Sequence, residues 1–145
     1  MKIETPRGTL IQTTSGKVEL QWDPDFADKW EAVYSEAQKY VDSEVLRLCS
    51  RYIPFQTGFL NQSGVLGTVI GTGTVVYNAP YARYLYYGKI MRDKEGRAFF
   101  GGAPKHVTEE NLSYHGEPQR GAFWFERMKA AHKDAILRGA AKRMR

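Results

Sequence analysis

The sequence has few of the residues that would tie it to a membrane, an oxidising compartment or a cysteine-based metal site. Its 145 residues include one cysteine, Cys49, which excludes an internal disulfide framework and a cysteine-based zinc cluster and favours a reducing compartment. No stretch approaches the roughly 18 to 20 apolar residues of a membrane span. The first ten residues are polar and contain Pro6 and Gly8. We therefore expect neither a membrane protein nor a secreted precursor.

The sequence also lacks a recognisable catalytic or metal-binding motif. Its three histidines, His106, His115 and His132, follow no local metal-ligand spacing. Serines and carboxylates form neither a nucleophile elbow nor a paired-acid motif. The glycine pairs do not lead into a helix bearing Lys-Ser or Lys-Thr, so they do not predict a phosphate loop. We predict a chain that is not an enzyme and that has no metal and no cofactor.

What is present is an uneven charge distribution on a single domain, residues 1–145. Residues 1–120 hold 14 basic and 14 acidic side chains, so the net charge of +5 arises in residues 121–145. The stretch Asp23 to Glu44 has seven acids and two lysines. Such a chain suits contact between unlike surfaces of neighbouring subunits, or contact with DNA phosphates. The basic end also suits a solvated helix terminus, because cations there are favoured by the helix dipole.

The first third of the chain predicts strands and a long helix. Short β-prone runs on both sides of Ser15-Gly16 indicate a hairpin or two edge strands within residues 1–22. Asp23-Pro24-Asp25 has the composition of a helix start, and apolar residues then recur at steps of three and four. We expect a helix over residues 23–53 that is buried along one face throughout and is ended by Pro54.

Shorter elements are expected in the remainder. Residues 64–77 alternate around a glycine-rich turn and predict a hairpin, and a short tyrosine-rich helix should end at Gly88. Residues 89–121 predict an extended loop with a short strand at 111–115, and residues 122–143 predict a C-terminal helix. The expected class is α+β: a long N-terminal helix and a C-terminal helix packed on a small antiparallel sheet, with the tyrosine-rich helix and the long loop.

Aromatic residues are concentrated after residue 76. A short helix cannot bury four tyrosines against a small core, so these rings either belong to the core with hydrated hydroxyls or form a protein interface. The second hypothesis, combined with the two charged regions, selects these candidate interface residues: Asp25, Asp28, Glu31, Arg83, Tyr84, Tyr86, Tyr87, Arg92, Phe99, Phe100, Arg127, Lys133 and Arg138.

Three sequence blocks, at residues 54–64, 77–89 and 114–129, resemble the minor capsid proteins of long-tailed bacteriophages, of the tail-completion or head-to-tail joining type. The first resembles that family's Pro-x-x-Thr-Gly-x-Leu-x-x-Ser segment, the second its Pro-Tyr-Ala-x-Tyr-x-x-x-Gly segment and the third its Trp-Phe-x-Arg-Met segment. The residues assigned to this structural motif are Pro54, Thr57, Gly58, Leu60, Ser63, Tyr77, Pro80, Tyr81, Ala82, Gly88, Trp124, Phe125 and Met128.

The resemblance implies a non-enzymatic virion protein that forms a homo-oligomeric ring, six- or twelvefold, at the neck between head and tail. Its partners would be copies of itself, a neighbouring neck or stopper protein and the tail tube or tail terminator, with DNA passing through the lumen and no membrane. Assembly would take place in the host bacterial cytoplasm. The alternative is a small basic DNA-binding protein or nuclease accessory.

Overall fold

The fold is α+β, as predicted, with long helices near both ends of the chain. The computed structural model describes residues 2–98, 104–114, 116 and 118–145. The helices are α1 (Phe26–Cys49), α2 (Phe59–Gly67), α3 (Ala82–Tyr87) and α4 (Trp124–Arg143). The strands are β1 (Thr9–Thr13), β2 (Gly16–Leu20), β3 (Lys89–Arg92) and β4 (His106–Asn111). Within the described residues they make two separate antiparallel pairs, β1–β2 and β3–β4.

Helices α1 and α4 pack directly on each other and run antiparallel. Tyr52, just beyond the end of α1, has its hydroxyl 3.3 Å from His132 Nε2 in the first half of α4. Further back on α1, Tyr40 meets the last turns of α4, where the Arg143 guanidinium lies 3.7 Å from the ring centre. A Cβ on Gly139 would lie 2.1 Å from the Tyr40 hydroxyl, so the absence of a side chain there permits this close approach.

The core lies around the C-terminal half of α1. It combines residues from that half, from α2 and α3 and from the buried side of α4: Leu48, Cys49, Ile53, Leu60, Ala79, Ala82, Trp124, Met128 and Ile136. The first buried residue of α1 is Ala37, eleven residues after the helix begins. The N-terminal part of α1 therefore projects beyond the core. None of the helices among the described residues is long and apolar enough to pass through a bilayer.

The long helix is shorter than predicted, and the prediction that one face is buried throughout is wrong. The Asp23 carboxylate accepts a hydrogen bond from the Asp25 N–H at 3.0 Å, which closes a turn before the helix rather than its first turn. Trp30 is 38% exposed although it belongs to the apolar stripe. The chain leaves α1 after Cys49 through a tight turn, in which Tyr52 N donates to Cys49 O at 2.9 Å.

The hairpin predicted at residues 64–77 is wrong. Its first residues belong to α2, and residues 68–79 return without a strand ladder. Side chains make the bonds that a ladder would supply: Val76 N donates to Thr68 Oγ1 at 3.0 Å. The buried carboxylate of Asp42 accepts from the N–H groups of Gly71 and Gly73 at 2.8 and 3.1 Å. β-branched composition indicated a strand, but pairing with α1 decided the local structure.

The extended loop predicted at residues 89–121 contains the β3–β4 hairpin. The two strands pair with a register irregularity between Lys89 and Met91, and the Thr108 hydroxyl donates to Ile90 O at 2.7 Å. The strand predicted at 111–115 lies earlier, at β4, and His115 falls outside the described residues. The alternation of apolar and polar residues did not predict these strands, because β4 is polar and almost wholly exposed.

The β1–β2 hairpin forms as predicted but packs on nothing in the described part of the chain. All ten strand residues are exposed. The pairing sets Ile11 opposite Val18 and Thr9 opposite Leu20, so three apolar side chains share one face. An isolated two-stranded hairpin is marginally stable in water, which makes this element the least supported part of the fold.

Two arginines fasten the end of α1 to the segment that leads into α4. Arg120 Nη1 donates to the carbonyls of Ser50 and Ile53, each at 2.8 Å, and its guanidinium lies 5.5 Å from the centre of the Phe55 ring. Arg127 donates to Ala122 O and Gln119 O and, at 3.4 Å, to Tyr52 O. The last carbonyls of a helix and its exit turn have no helical partner, so these guanidinium groups satisfy them and fix the α1–α4 pairing.

Replacing Arg120 by alanine should lower the free energy of unfolding by about 2 to 3 kcal/mol, because two carbonyls lose a charged donor. Arg120→Lys should fall between Arg120→Ala and wild type, since one ammonium reaches the two carbonyls less well than a planar guanidinium. Urea denaturation measures the change. Arg51→Ala, at an exposed position of the same turn, is the matched control and should stay within about 0.5 kcal/mol of wild type. Equal effects of Arg120→Ala and Arg51→Ala would contradict the role of Arg120.

Candidate interaction surfaces

The start of α1 forms an acidic pole that no other described element covers. Asp25 and Asp28 are exposed and Glu31 is half-exposed, and the described residues offer none of the three an ion pair. The lysines of this stretch are already used, because Lys29 pairs with Asp23 at 3.0 Å and Lys39 with Glu36 at 2.7 Å. The pole thus keeps free negative charge for a partner.

Four aromatic rings run along the same projecting half of α1. The rings of Trp22, Phe26, Trp30 and Tyr34 follow one another with centroid separations of 4.9, 6.2 and 5.9 Å. Trp22 and Trp30 are each more than one third exposed. Residues four apart on a helix lie on one side, so these rings form a continuous aromatic ladder beside the acidic groups. Trp enrichment of this kind is typical of the centre of protein interfaces.

Of the three basic candidate residues on α4, one is hydrogen-bonded within the fold and two have no partner among the described residues. Arg127 is occupied by the three carbonyls described above. Lys133 and Arg138 are exposed, and neither makes an ion pair or a hydrogen bond within the described residues. The free cations therefore lie along the middle of α4, beside the C-terminal half of α1, where Tyr52 meets His132 and Tyr40 meets Gly139, and away from the start of α1.

The tyrosine-rich helix α3 is partly core and partly surface. Tyr86 packs edge-on against Trp124, with ring centroids 4.7 Å apart, whereas Tyr87 is 55% exposed. Tyr84 is half-buried and its ring neighbours that of Tyr81. Arg83 is exposed and is not paired within the described residues. Tyr86 therefore belongs to the packed interior, whereas Tyr87 and Arg83 face outward and stay candidates for an interface.

Two further candidates are separated from this surface. Arg92 is committed to the β3–β4 hairpin, where it donates to Glu110 Oε2 from Nε at 2.9 Å and from Nη2 at 2.6 Å. Its remaining nitrogen donates to Gly96 O at 2.8 Å. Phe99 and Phe100 lie outside the described residues.

The motif residues are mainly scaffold. Gly58 takes a left-handed conformation with φ of 80° at the start of α2, and Gly88 does the same with φ of 73° at the end of α3, as predicted for Gly88. Leu60, Ser63, Ala82, Trp124 and Met128 are buried. The three blocks meet at a depression of about 370 Å³, whose lining includes Pro54, Thr57, Gly58, Leu60, Tyr81, Tyr84 and Tyr114. Pro80 and Phe125 remain exposed, and Tyr77 is half-buried.

A second and larger depression, the α1–α3 groove, lies between the C-terminal half of α1 and α3. Its volume is about 550 Å³. Its lining is predominantly apolar and aromatic and includes Val41, Val45, Val75, Tyr86, Tyr87, Trp124 and Phe125, with Arg83 as its exposed charged group. Such a groove is suited to apolar side chains presented by a protein partner.

Two ionisable groups in the lining of this groove, the Cys49 thiol and the Tyr77 hydroxyl, are shielded from water. Cys49 is 1% exposed, and burial raises the pKa of its thiol to about 12. Burial also raises the pKa of Tyr77, and the neighbouring Cys49 raises it further. A thiol held protonated is a poor nucleophile, so Cys49 serves as a packed core side chain. Among the described residues, no group of three His, Cys, Asp or Glu side chains is placed to hold a metal ion.

Comparisons of this chain with protein-family models, with curated proteins and with solved structures gave no match.

Three features of these surfaces escaped the sequence interpretation. The four-residue spacing of Trp22, Phe26, Trp30 and Tyr34 was visible, but the same spacing also describes a buried stripe. The donors on Arg120 gave no local signal, since their acceptors lie 67 and 70 residues earlier in the chain. The groove is formed by side chains from three helices and a returning segment, so no single motif could indicate it.

Stability should fall in alkali because the unfolded chain loses the Cys49 proton first. The folded pKa of about 12 exceeds the ordinary value of 9.0, so the folded state binds more protons between these values. The stabilising contribution is complete below pH 9 and declines by about 1.4 kcal/mol per pH unit as pH rises towards 12. Urea denaturation at pH 8, 9, 10 and 11 should show a shallower decline for Cys49→Ala than for wild type. Identical pH slopes would refute this assignment.

Proposed function

We propose that this protein is a non-enzymatic structural subunit of a tailed-phage virion, a head-tail connector of the neck ring that acts in tail completion and head-to-tail joining. The observation that carries the proposal is the separation of two oppositely charged surfaces that have no ion pairs within the described residues. Asp25, Asp28 and Glu31 lie at the start of α1, and Lys133 and Arg138 lie on α4, which packs beside the C-terminal half of α1. A ring requires such a heterologous interface, in which one patch meets a different patch on the next copy.

The sequence resemblance supports the same function from a different direction. Its first two blocks, distant in sequence, line one depression through Thr57 and Tyr81, and the third block reaches it through Tyr114. Leu60, Ala82, Trp124 and Met128, drawn from all three blocks, also share the core. The proposed partners are further copies of this chain, a neck or stopper protein on one side and the tail tube or tail terminator on the other. The proposed location is the virion neck.

A DNA-binding role is the second candidate, and the free cations of α4 favour it. Lys133, Arg138 and Lys142 are exposed and unpaired within the described residues. If they contact phosphates, retention on DNA should fall steeply as salt rises. The two roles are compatible if these cations face a lumen through which DNA passes. Salt-dependent retention by a protein that never self-associates would favour DNA binding alone.

Reversing the acidic pole should weaken self-association. The triple variant Asp25→Lys, Asp28→Lys and Glu31→Lys places like charges against the basic surface of the next copy, and we expect the concentration needed for assembly to rise at least about tenfold. Sedimentation velocity in low salt measures that concentration. The control, Glu4→Lys with Glu95→Lys and Glu109→Lys, changes the net charge equally at exposed sites outside the acidic pole, the groove and α4 and should assemble like wild type.

Assembly of the acidic-pole variant at the wild-type concentration would remove the electrostatic basis of the proposal. Position in the particle provides a separate test. Gold-labelled antibodies against this chain should mark the junction of head and tail on intact particles. Label on the capsid shell or the tail tip, or no label on particles, would refute the neck assignment.

A further inference from the structure

We propose that the β1–β2 hairpin of one copy docks its apolar face into the α1–α3 groove of a neighbouring copy. This inference rests on the proposed ring and names the joint that would hold it together. The occupant is a second copy of this chain. The joint pairs the apolar face of the hairpin with the apolar lining of the groove.

The hairpin has one apolar face that stays exposed among the described residues. Ile11, Val18 and Leu20 share that face and are 58, 68 and 54% exposed. The other face is mainly polar: Gln12 lies opposite Lys17, whose ammonium is 3.7 Å from the Glu19 carboxylate, and Leu10 lies opposite Glu19. An apolar face backed by a mainly polar one is the pattern of a sheet that is half buried. The described residues of the same copy do not supply that burial.

The groove presents the complementary shape and chemistry. It offers about 550 Å³ between α1 and α3, with Val41, Val45 and Trp124 in its lining and Tyr87 and Phe125 exposed at its edge. A cluster of valine and aromatic side chains is suited to Ile, Val and Leu side chains arriving together. Burial of such groups stabilises an interface in proportion to the apolar area removed from water.

Geometry directs the contact to another copy. The hairpin lies at the start of α1, since β2 ends at Leu20 and Trp22 packs on Phe26 with ring centroids 4.9 Å apart, and the hairpin side chains remain exposed. The groove lining on α1 runs from Gln38 to Cys49, about 18 to 35 Å along the helix from Phe26 at 1.5 Å per residue. A protrusion at one end and a groove at the other make a head-to-tail contact, which can close into a ring.

Charge at the two sites is also complementary. The base of the hairpin adjoins Asp25 and Asp28, which lack ion pairs within the described residues, and the groove carries the equally unpaired Arg83. When the hairpin enters a neighbour's groove, the acidic start of its α1 approaches that neighbour's α3 and α4. The joint is therefore continuous with the acidic-to-basic contact proposed above, and it supplies the apolar centre that such an interface needs.

The test mixes two variants that are each defective on one side of the joint. Val18→Asp puts a charge on the apolar hairpin face, and Phe125→Glu puts one at the groove edge; both positions are exposed, so folding should persist, as near-ultraviolet circular dichroism can verify. Gln12→Asp on the opposite hairpin face and Leu137→Glu, exposed on α4 outside the groove lining, are matched controls.

Native mass spectrometry reads the outcome. Each defective variant alone should be monomeric, with association at least about tenfold weaker than wild type, and the controls should assemble normally. An equimolar mixture of the two should give one heterodimer and nothing larger, because only the intact groove of Val18→Asp and the intact hairpin of Phe125→Glu can meet.

Any one of four results would overturn the inference. If Val18→Asp assembles like wild type, the ring survives but the hairpin is not its joint. If the mixture stays monomeric, or if Phe125→Glu dimerises alone, the hairpin does not enter the groove and contacts something else, such as another hairpin. If wild type itself remains monomeric at all accessible concentrations, the ring in the proposed function fails together with its joint.

Discussion

The structure depends on the hydrogen bonds that the backbone carbonyls at the end of α1 and in its exit turn accept. The Ser50 and Ile53 carbonyls accept from Arg120, 70 and 67 residues later, and the Tyr52 carbonyl accepts from Gly121 N and from Arg127. The same contacts align α4 antiparallel to α1, so that Trp124 and Met128 enter the core. The Asp42 carboxylate then secures the returning segment from the α1 side. A few long-range polar contacts thus give the small apolar core its shape.

The packing that stabilises this fold is therefore concentrated around the C-terminal half of α1. The core gathers around the C-terminal half of α1, while the first three turns of that helix and the β1–β2 hairpin carry exposed Trp30, Ile11 and Val18. Exposed apolar surface of this kind is typical of protein interaction sites. The acidic and basic surfaces make a partner's orientation specific, which is why we interpret the asymmetry as a design for head-to-tail assembly rather than as loose packing.

The sequence predicted what local patterns can determine. The α+β class, the hairpin at Ser15-Gly16, both long helices and the left-handed Gly88 followed from periodicity and turn residues. The prediction failed where contacts between distant residues determine the local structure. Residues 64–77 form the end of α2 and a returning segment without strands, because the side chains of Asp42 and Thr68 accept the backbone hydrogen bonds that a neighbouring strand would otherwise accept. Exposed β4 lacks the alternation that reveals a half-buried strand. For the candidate surfaces, charge was readable, but whether Arg127 or Arg92 was free depended on partners far along the chain.

The number of copies in the native assembly tests the central claim most directly. Native mass spectrometry of the full chain, alone and with tail-tube protein, should give one dominant mass that is a whole multiple of the subunit mass, corresponding to six or twelve copies. A closed ring predicts a single sharp species, because a heterologous contact that closes uses every interface. A monomer under both conditions, or an open-ended ladder of masses, would contradict the account.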